Sequence, residues 1–547
     1  MRLILLIVFA TIILSNTLSA QVAPDMYFIH FTDKNNNPYT LQQPEQYLSP
    51  RAIQRRADNQ IAIDEYDIPV TPIYVDSMIA MGFDVISKTK YLNGVVVYTT
   101  NTLLLSQLSG ISFVDGYRSC GEVKPSAKLE TDLNNVTRNT DVTDYGYGYT
   151  QINQVKGDYL HNLDFKGQGM LISVIDAGFS GADTIVAFDN LFAAGRVVYT
   201  WDVVNRQQNV YNYHSHGTMV LSVMASDVPG ELVGTAPEAT YALIRTEEGS
   251  TENIVEEYFL ASGFELADSL GSDVVNVSLG YSEFDDINQN HTWADLDGVT
   301  APASNAARIA GSRGMIILAS AGNSGDDPWA KITFPADADS ILTIGSVNYQ
   351  GLYSTFSSIG PTEDGRVKPD VVAMGQNTSV YSPSGYVFQG SGTSFSSPLL
   401  CGLTACLWQA TPQLLPYEVM NYIRMSADQF ANPDEFRGYG LPDFELAYTM
   451  VNNSDEHFAN KDFFFSAFPN PFNDELNLRI FSSENKTLEI KLSDMLGRTI
   501  KTVKAQVSIG EYNSIKIDTE KNILPGLYII EINSEGKKFN RIVSKQQ

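Results

Sequence analysis

The sequence predicts an α/β protein: a doubly wound, mostly parallel sheet in the middle of the chain, a small α+β unit before it and a small β-sandwich after it. Three observations carry this. Short and nearly continuous apolar runs recur at residues 170–175, 241–244, 273–279, 314–319 and 341–345. Strands without a polar face belong in a sheet covered on both sides, the arrangement that parallel sheets require. Helical stretches separate the runs, and residues 253–270 are long enough for a crossover helix between parallel neighbours. Beyond Met450 the pattern changes to alternation in 476–480, 487–492 and 527–532, with turn signals at Pro469-Asn470-Pro471 and Leu496-Gly497-Arg498. That is the outline of a small β-sandwich.

Taken in order, the chain begins with Arg2 and an apolar run at 3–14, followed by small or polar residues up to Ala20. Residues 1–20 have the form of a signal peptide, because a bilayer span takes about 20 apolar residues; an uncleaved anchor is the alternative. The front unit follows. Tyr27-Phe28-Ile29-His30-Phe31 and Gly94-Val95-Val96-Val97-Tyr98 read as strands, Ser49-Pro50-Arg51 opens a helix, and further helices are expected across 71–81 and 103–108. Such a unit is either a binding domain or a pro-segment. From Glu122 to Tyr149 the chain turns polar and loses apolar periodicity, as a linker open to proteolysis does. The expected division is 1–20, 21–140 (module and linker), 141–450 (central domain), 451–462 (polar bridge) and 463–547 (sandwich).

Composition narrows the function. The 547 residues carry a net charge of -27 with no cluster of Lys and Arg, which argues against a nucleic-acid partner. Three cysteines cannot make a disulfide framework. Cys401 and Cys406 would point to different faces of one helix and read as small buried hydrophobes, so cysteine-protease chemistry is not expected.

The candidate chemistry lies just after the apolar runs, where ligands bind in parallel sheets. Gly390-Ser391-Gly392-Thr393-Ser394-Phe395-Ser396-Ser397-Pro398 leads into the apolar helical run 399–408, placing Ser394 at a helix N-terminus that favours developing negative charge. Alone, Ser394 reads equally well as an ordinary N-cap. Asp176 ends a strand beside Ala177-Gly178, positioned to orient a base or merely to close an Asx-turn. In His214-Ser215-His216-Gly217-Thr218 the second histidine opens a helix; the pair lacks a third ligand for zinc, and no metal site is assigned. Asn323, in Ser320-Ala321-Gly322-Asn323-Ser324-Gly325, either aims its amide at an oxyanion or closes a turn. Asn276 interrupts an apolar strand, where a structural hydrogen bond is expected.

Each residue has an ordinary explanation, but their order is informative. Asp176, His216 and Ser394 follow one another as Asp, His, Ser, with Asn323 between the last two, which is the chain order of a subtilisin-type triad. An α/β-hydrolase would show Ser, Asp, His and Gly-x-Ser-x-Gly instead.

Over about 157–450 the chain resembles the subtilisin-like serine peptidases. The resemblance rests on Val174-Ile175-Asp176-Ala177-Gly178, His216-Gly217-Thr218, Val275-Asn276-Val277-Ser278-Leu279-Gly280, Ser320-Ala321-Gly322-Asn323, Phe356-Ser357-Ser358-Ile359-Gly360-Pro361, Asp364-Gly365-Arg366-Val367-Lys368-Pro369-Asp370 and Gly392-Thr393-Ser394. The last segment resembles type IX secretion sorting domains through Phe468-Pro469-Asn470-Pro471-Phe472, Asp494-Met495-Leu496-Gly497-Arg498 and Leu524-Pro525-Gly526-Leu527-Tyr528.

These resemblances imply a secreted serine endopeptidase made as a zymogen, acting on protein and peptide substrates. Ser394 would be the nucleophile, His216 the base, Asp176 its orienting carboxylate and Asn323 an oxyanion donor. Ser278, Leu279 and Gly280 would bind substrate. The front module would be a propeptide that inhibits its own enzyme until cut between Cys120 and Tyr149. Type IX machinery would export the chain through periplasm and outer membrane, to be released or attached at the cell surface. No cofactor is required for the chemistry. Structural Ca²⁺ is conceivable on the acidic insertion 283–297, where a solvated loop is the simpler reading. Tyr281 stands where family members often have a second glycine, and would reshape a subsite. The competing reading is a non-catalytic surface adhesion protein on the same fold.

Overall fold

Seven parallel strands form the central sheet, in the order Val371–Met374, Leu342–Val347, Ile316–Ser320, Val274–Val277, Leu171–Asp176, Thr240–Arg245, Val197–Asp202. The structure, a computed structural model, describes residues 25–122, 144–249, 251–453 and, with short gaps, 463–545. The expected signal peptide (1–20), residues 123–143 of the linker, the bridge 454–462 and the Pro469-Asn470-Pro471 turn lie outside them.

Both faces of the sheet are covered, which explains its apolar strands. Ile172, Val174, Val274, Ile316 and Leu318 pack on one side with the helices His216–Ala225 and Thr393–Ala410. Ile175, Val275, Val277, Ile317 and Ala319 face the other side and the helices Val255–Leu270 and Pro302–Ser312. The period-2 alternation is present, but each face finds an apolar partner. Val277 lies level with Ile175 on one neighbour and Ala319 on the other, so the chain leaves these three strands at one edge. Asp176, Ser278 and Asn323 all follow from that edge. The two edge strands, Val197–Asp202 and Val371–Met374, escape the sequence reading: the first is only partly buried, and the second spans four residues.

The N-terminal module is a four-stranded antiparallel sheet ordered Asp84–Thr89, Gly94–Tyr98, Asp25–Phe31, Val114–Glu122. On one face Tyr27, Ile29, Phe31, Val95 and Val97 pack with Tyr74, Val75 and Met78 of the helix Pro72–Met81. On the other, Phe28 and Val96 enter the core of the central domain, where Phe28 stacks on Tyr258 with ring centroids 4.2 Å apart. The strand Gly94–Tyr98 has no polar face because Val95 and Val97 pack within the module and Val96 packs on the central domain.

Around that apolar contact lies a buried ionic one. The Asp268 carboxylate, fully buried, meets Arg55, Arg56 (2.8 Å), Lys90 (3.3 Å) and the Tyr91 hydroxyl (2.9 Å), all from the module. Burial alone would raise the Asp268 pKa, but Lys90, Arg56 and Arg55 outweigh it and hold the carboxyl well below its ordinary range. One turn earlier Glu265 accepts the backbone N–H groups of Lys90 and Tyr91, each at 2.9 Å.

The C-terminal strands form two antiparallel sheets, one of Phe463–Phe468, Glu475–Ser482 and Tyr512–Asp518, the other of Thr499–Val507, Lys486–Asp494, Gly526–Ser534 and Lys537–Lys545. Leu476, Leu478 and Ile480 of the first face Leu488, Ile490, Leu492, Ile530 and Ile532 of the second, as the alternation predicts for a sandwich. Among the described residues, no helix is long and apolar enough to cross a membrane.

Asp268→Ala should strand buried cations and cost about 3–5 kcal/mol. Hydrogen exchange of the intact chain tests this: amides across Pro50–Asp58 should open far more readily, and unchanged protection there would contradict the assignment.

Candidate active site

Asp176 is the last residue of its strand and is fully buried. Its Oδ1 accepts the Ala177 N–H (2.8 Å) and lies 2.8 Å from His216 Nδ1. Since Asp176 can only accept, Nδ1 is the protonated nitrogen and the His216 lone pair sits on Nε2. Arg245, at the end of the adjacent strand, steadies this corner by donating to the Ala177 carbonyl (3.1 Å) and pairing with Asp202 (2.9 Å). His216 opens its helix, as the sequence predicts, with its side chain 18% exposed. Burial disfavours the imidazolium, but the Asp176 charge and hydrogen bond, with Glu247 behind them, prevail and raise the His216 pKa above its ordinary value.

Ser394 lies in the first turn of the helix Thr393–Ala410, in which every residue from Thr393 to Trp408 is buried. Gly392 precedes it with φ 155°, a conformation that favours glycine. Pro398, four residues on, has no N–H to give the Ser394 carbonyl. The Ser278 hydroxyl supplies the missing donor at 2.9 Å. Asn276 orients that hydroxyl, donating to it at 2.9 Å and accepting from Ser397 at 2.9 Å. This is the structural role expected for Asn276. The Ser394 hydroxyl itself donates toward the Ser278 carbonyl (3.4 Å) rather than to the imidazole. The ring of Phe395, the next residue along the helix, lies 6.2 Å from that of His216. Catalytic hydrogen bonds are often made only once substrate is bound.

Asn323 is exposed beside this serine. Its Oδ1 accepts from the Thr393 N–H (2.9 Å) and the Thr393 hydroxyl (3.0 Å), which fixes which end of the amide is oxygen. The Nδ2 donor is thereby left without a partner among the described residues, about where a Cβ on Gly392 would lie 3.6 Å away. The structure thus brings Asp176, His216, Ser394 and Asn323 to one edge of the sheet. Ser278, Leu279 and Gly280 run past them.

Other sequence expectations need correcting. Tyr281 is 1% exposed; its hydroxyl donates to Glu247 and its ring stacks on Phe284, so it fills the interior instead of lining a subsite. The insertion 283–297 is pinned by buried Phe284, His291 and Leu296. Three of its carboxylates close turns, with Asp286 accepting from Asn288, Asp295 from Thr292, and Asp297 from Val299 and Thr300, while Asp285 accepts the Glu252 N–H at 3.3 Å. They do not converge as a Ca²⁺ cage must. Among the described residues, the carboxylates that do converge are Glu247, Glu252 and Glu256, within 4.8 Å of one another. Burial, opposed by the Tyr281 hydroxyl and reinforced by Asp176, pushes the Glu247 carboxyl up to about 7. Spacing in the sequence did not reveal this trio, because its members come from a loop and the start of a helix. Cys401 and Cys406 are free and buried, as expected, and so is Cys120.

A serine at a helix N-terminus, an imidazole and a buried carboxylate at the carboxyl edge of a parallel sheet are the side chains a serine hydrolase requires. The sequence model of the subtilase family of S8 peptidases matches residues 167–441, and the chain belongs to that family. A propeptide domain of S8 peptidases of Bacteroidota matches 26–136, and a secretion-system C-terminal sorting domain matches 466–545. The serine protease AprX of Bacillus subtilis (strain 168) is 27% identical over 348 residues, covering 57% of this chain and 74% of the relative. Subtilisin DY of Bacillus licheniformis is 27% identical over 296 residues, covering 54% of this chain and 96% of the relative. The crystal structure of MycP1 from Mycobacterium smegmatis aligns with a TM-score of 0.45 and 21% identity over 59% of this chain and 90% of that one. The chain is a subtilisin-like serine endopeptidase made with a propeptide and a sorting domain, and the adhesion reading gains no support.

Asn323→Ala should lower kcat by about 10²–10³ with little change in KM, as expected for loss of one oxyanion donor. Steady-state hydrolysis of a peptide substrate measures it, and a loss below threefold would contradict the role.

Proposed function

We propose that the enzyme cleaves peptide bonds through Ser394, His216 and Asp176. The observation that carries this reading is the 2.8 Å bond from His216 to buried Asp176, made beside the helix terminus that holds Ser394. The Ser394 oxygen attacks the scissile carbonyl while His216 Nε2 takes its proton, and the same nitrogen returns a proton to the leaving amine. Asp176 holds the tautomer and stabilises the imidazolium. The tetrahedral oxyanion is bound by Asn323 Nδ2 and the Ser394 backbone N–H. Water then hydrolyses the acyl-enzyme by the same steps reversed. Ser278, Leu279 and Gly280 pair with an extended substrate; in support, the peptide groups of Leu279 and Gly280 take no backbone hydrogen bond among the described residues.

The N-terminal module, residues 21–140 with its linker, acts as an intramolecular inhibitor and is removed by cleavage between Cys120 and Tyr149. The central domain spans 141–450 and the sorting domain 463–547. Type IX secretion machinery recognises the last of these and carries the enzyme through the periplasm and across the outer membrane.

His216 must be neutral to take the proton, and its folded pKa is raised. Activity is therefore full above that pKa and lost as pH falls through it. The acid limb of kcat/KM should have its midpoint above that of a free imidazole, and Asp176→Asn should lower kcat by about 10⁴. A flat profile down to pH 5 would contradict His216 as the base. N-terminal sequencing of the secreted enzyme should find a new terminus after Cys120 and no later than Tyr149; retention of residues near Gln21 would refute the maturation scheme.

A further inference from the structure

The helix that begins at His216 lacks an ordinary cap, since the Ser215 side chain makes no capping bond. The first N–H groups are met in another way. The His216 backbone N–H donates to Nδ1 of His214 at 3.1 Å, and the Gly217 N–H donates to the Gly178 carbonyl at 2.9 Å. The Ser180 N–H returns a bond to the His214 carbonyl at 3.2 Å. These bonds tie the segment around His216 to the turn that follows Asp176. The His214 ring is half-buried, 6.3 Å from the His216 ring, and a Cβ at Gly249 would sit 3.0 Å from its Cδ2. It has little room to swing away.

An N–H can bond only to a lone pair, so His214 Nδ1 is unprotonated in this arrangement. Burial is the main cause that favours this, followed by the charge on His216, with Arg245 adding to it and Asp176 opposing; together they lower the His214 pKa. The acceptor is thus present under the conditions in which His216 itself is neutral.

We propose that His214 is a positioning residue for the general base: its Nδ1 holds the His216 amide and so fixes the imidazole between Asp176 and Ser394. This rests on His216 being the base. Small displacements of a catalytic group cost activity steeply, about 10²-fold for 1 Å.

Three variants of the mature enzyme test it, with active sites counted by fluorophosphonate titration and melting temperatures compared. His214→Ala should lower kcat by about 10- to 100-fold with KM within about twofold of wild type. His214→Asn places an amide oxygen where Nδ1 stood and should restore kcat to within about threefold of wild type. His214→Gln carries its acceptor one bond further out and should stay as low as alanine. Equal kcat for the Asn and Gln variants at equal melting temperature would overturn the proposal, as would a loss falling on KM or an alanine variant with more than a third of wild-type kcat. Failure of the triad itself would appear separately, as fluorophosphonate labelling that survives Ser394→Ala.

Discussion

A proline four residues after a serine imposes a constraint on which the active site depends. Pro398 has no N–H for the Ser394 carbonyl, so the first turn of the helix cannot close on itself. A buried carbonyl without a donor is costly, about 1–3 kcal/mol. The Ser278 hydroxyl answers it at 2.9 Å, and Ser397 and Asn276 hold that hydroxyl in place. The helix is thereby fastened to the strand end that leads into Ser278, Leu279 and Gly280. One missing hydrogen bond thus fixes the distance between the candidate nucleophile and the segment that would bind substrate.

Charge burial is the second theme. Asp176 is fully buried with His216 beside it, and Glu247 adds negative potential from behind. With His216 proposed as the base, the potential that raises its imidazole pKa would also stabilise the imidazolium formed in the transition state. At the module interface the charges are matched in the opposite sense: acids on the helix Val255–Leu270 meet bases from the module. Such a buried pair is costly to break from one side, which fastens the module to the central domain.

Much of this was legible in the sequence because the periodicities are strong. Unbroken apolar runs identified the five inner parallel strands, and positions at strand ends and helix starts grouped Asp176, His216, Asn323 and Ser394 as a set. The edge strand Val197–Asp202 was not legible, since partial burial leaves no clean period. Tyr281 was misjudged because a tyrosine after a glycine says nothing about which way its ring turns; the buried Glu247 decides that. His214 stands just before the predicted helix, and its bond to the His216 amide depends on a backbone turn that no spacing rule encodes. The acidic insertion showed the same limit: composition counted its carboxylates, but the turns had already engaged them.

Several serines stand in the first two turns of one helix, and Ser394 is the one proposed as nucleophile. Ser394, Ser396 and Ser397 are all buried in the first two turns of one helix, and only the first is flanked by an amide donor held at Thr393. Treating the mature enzyme with a fluorophosphonate and mapping the adduct by peptide mass spectrometry separates them. The account predicts stoichiometric modification of Ser394 and none in the Ser394→Ala variant. Equal labelling of the two proteins, or an adduct on Ser396 or Ser397, would contradict it.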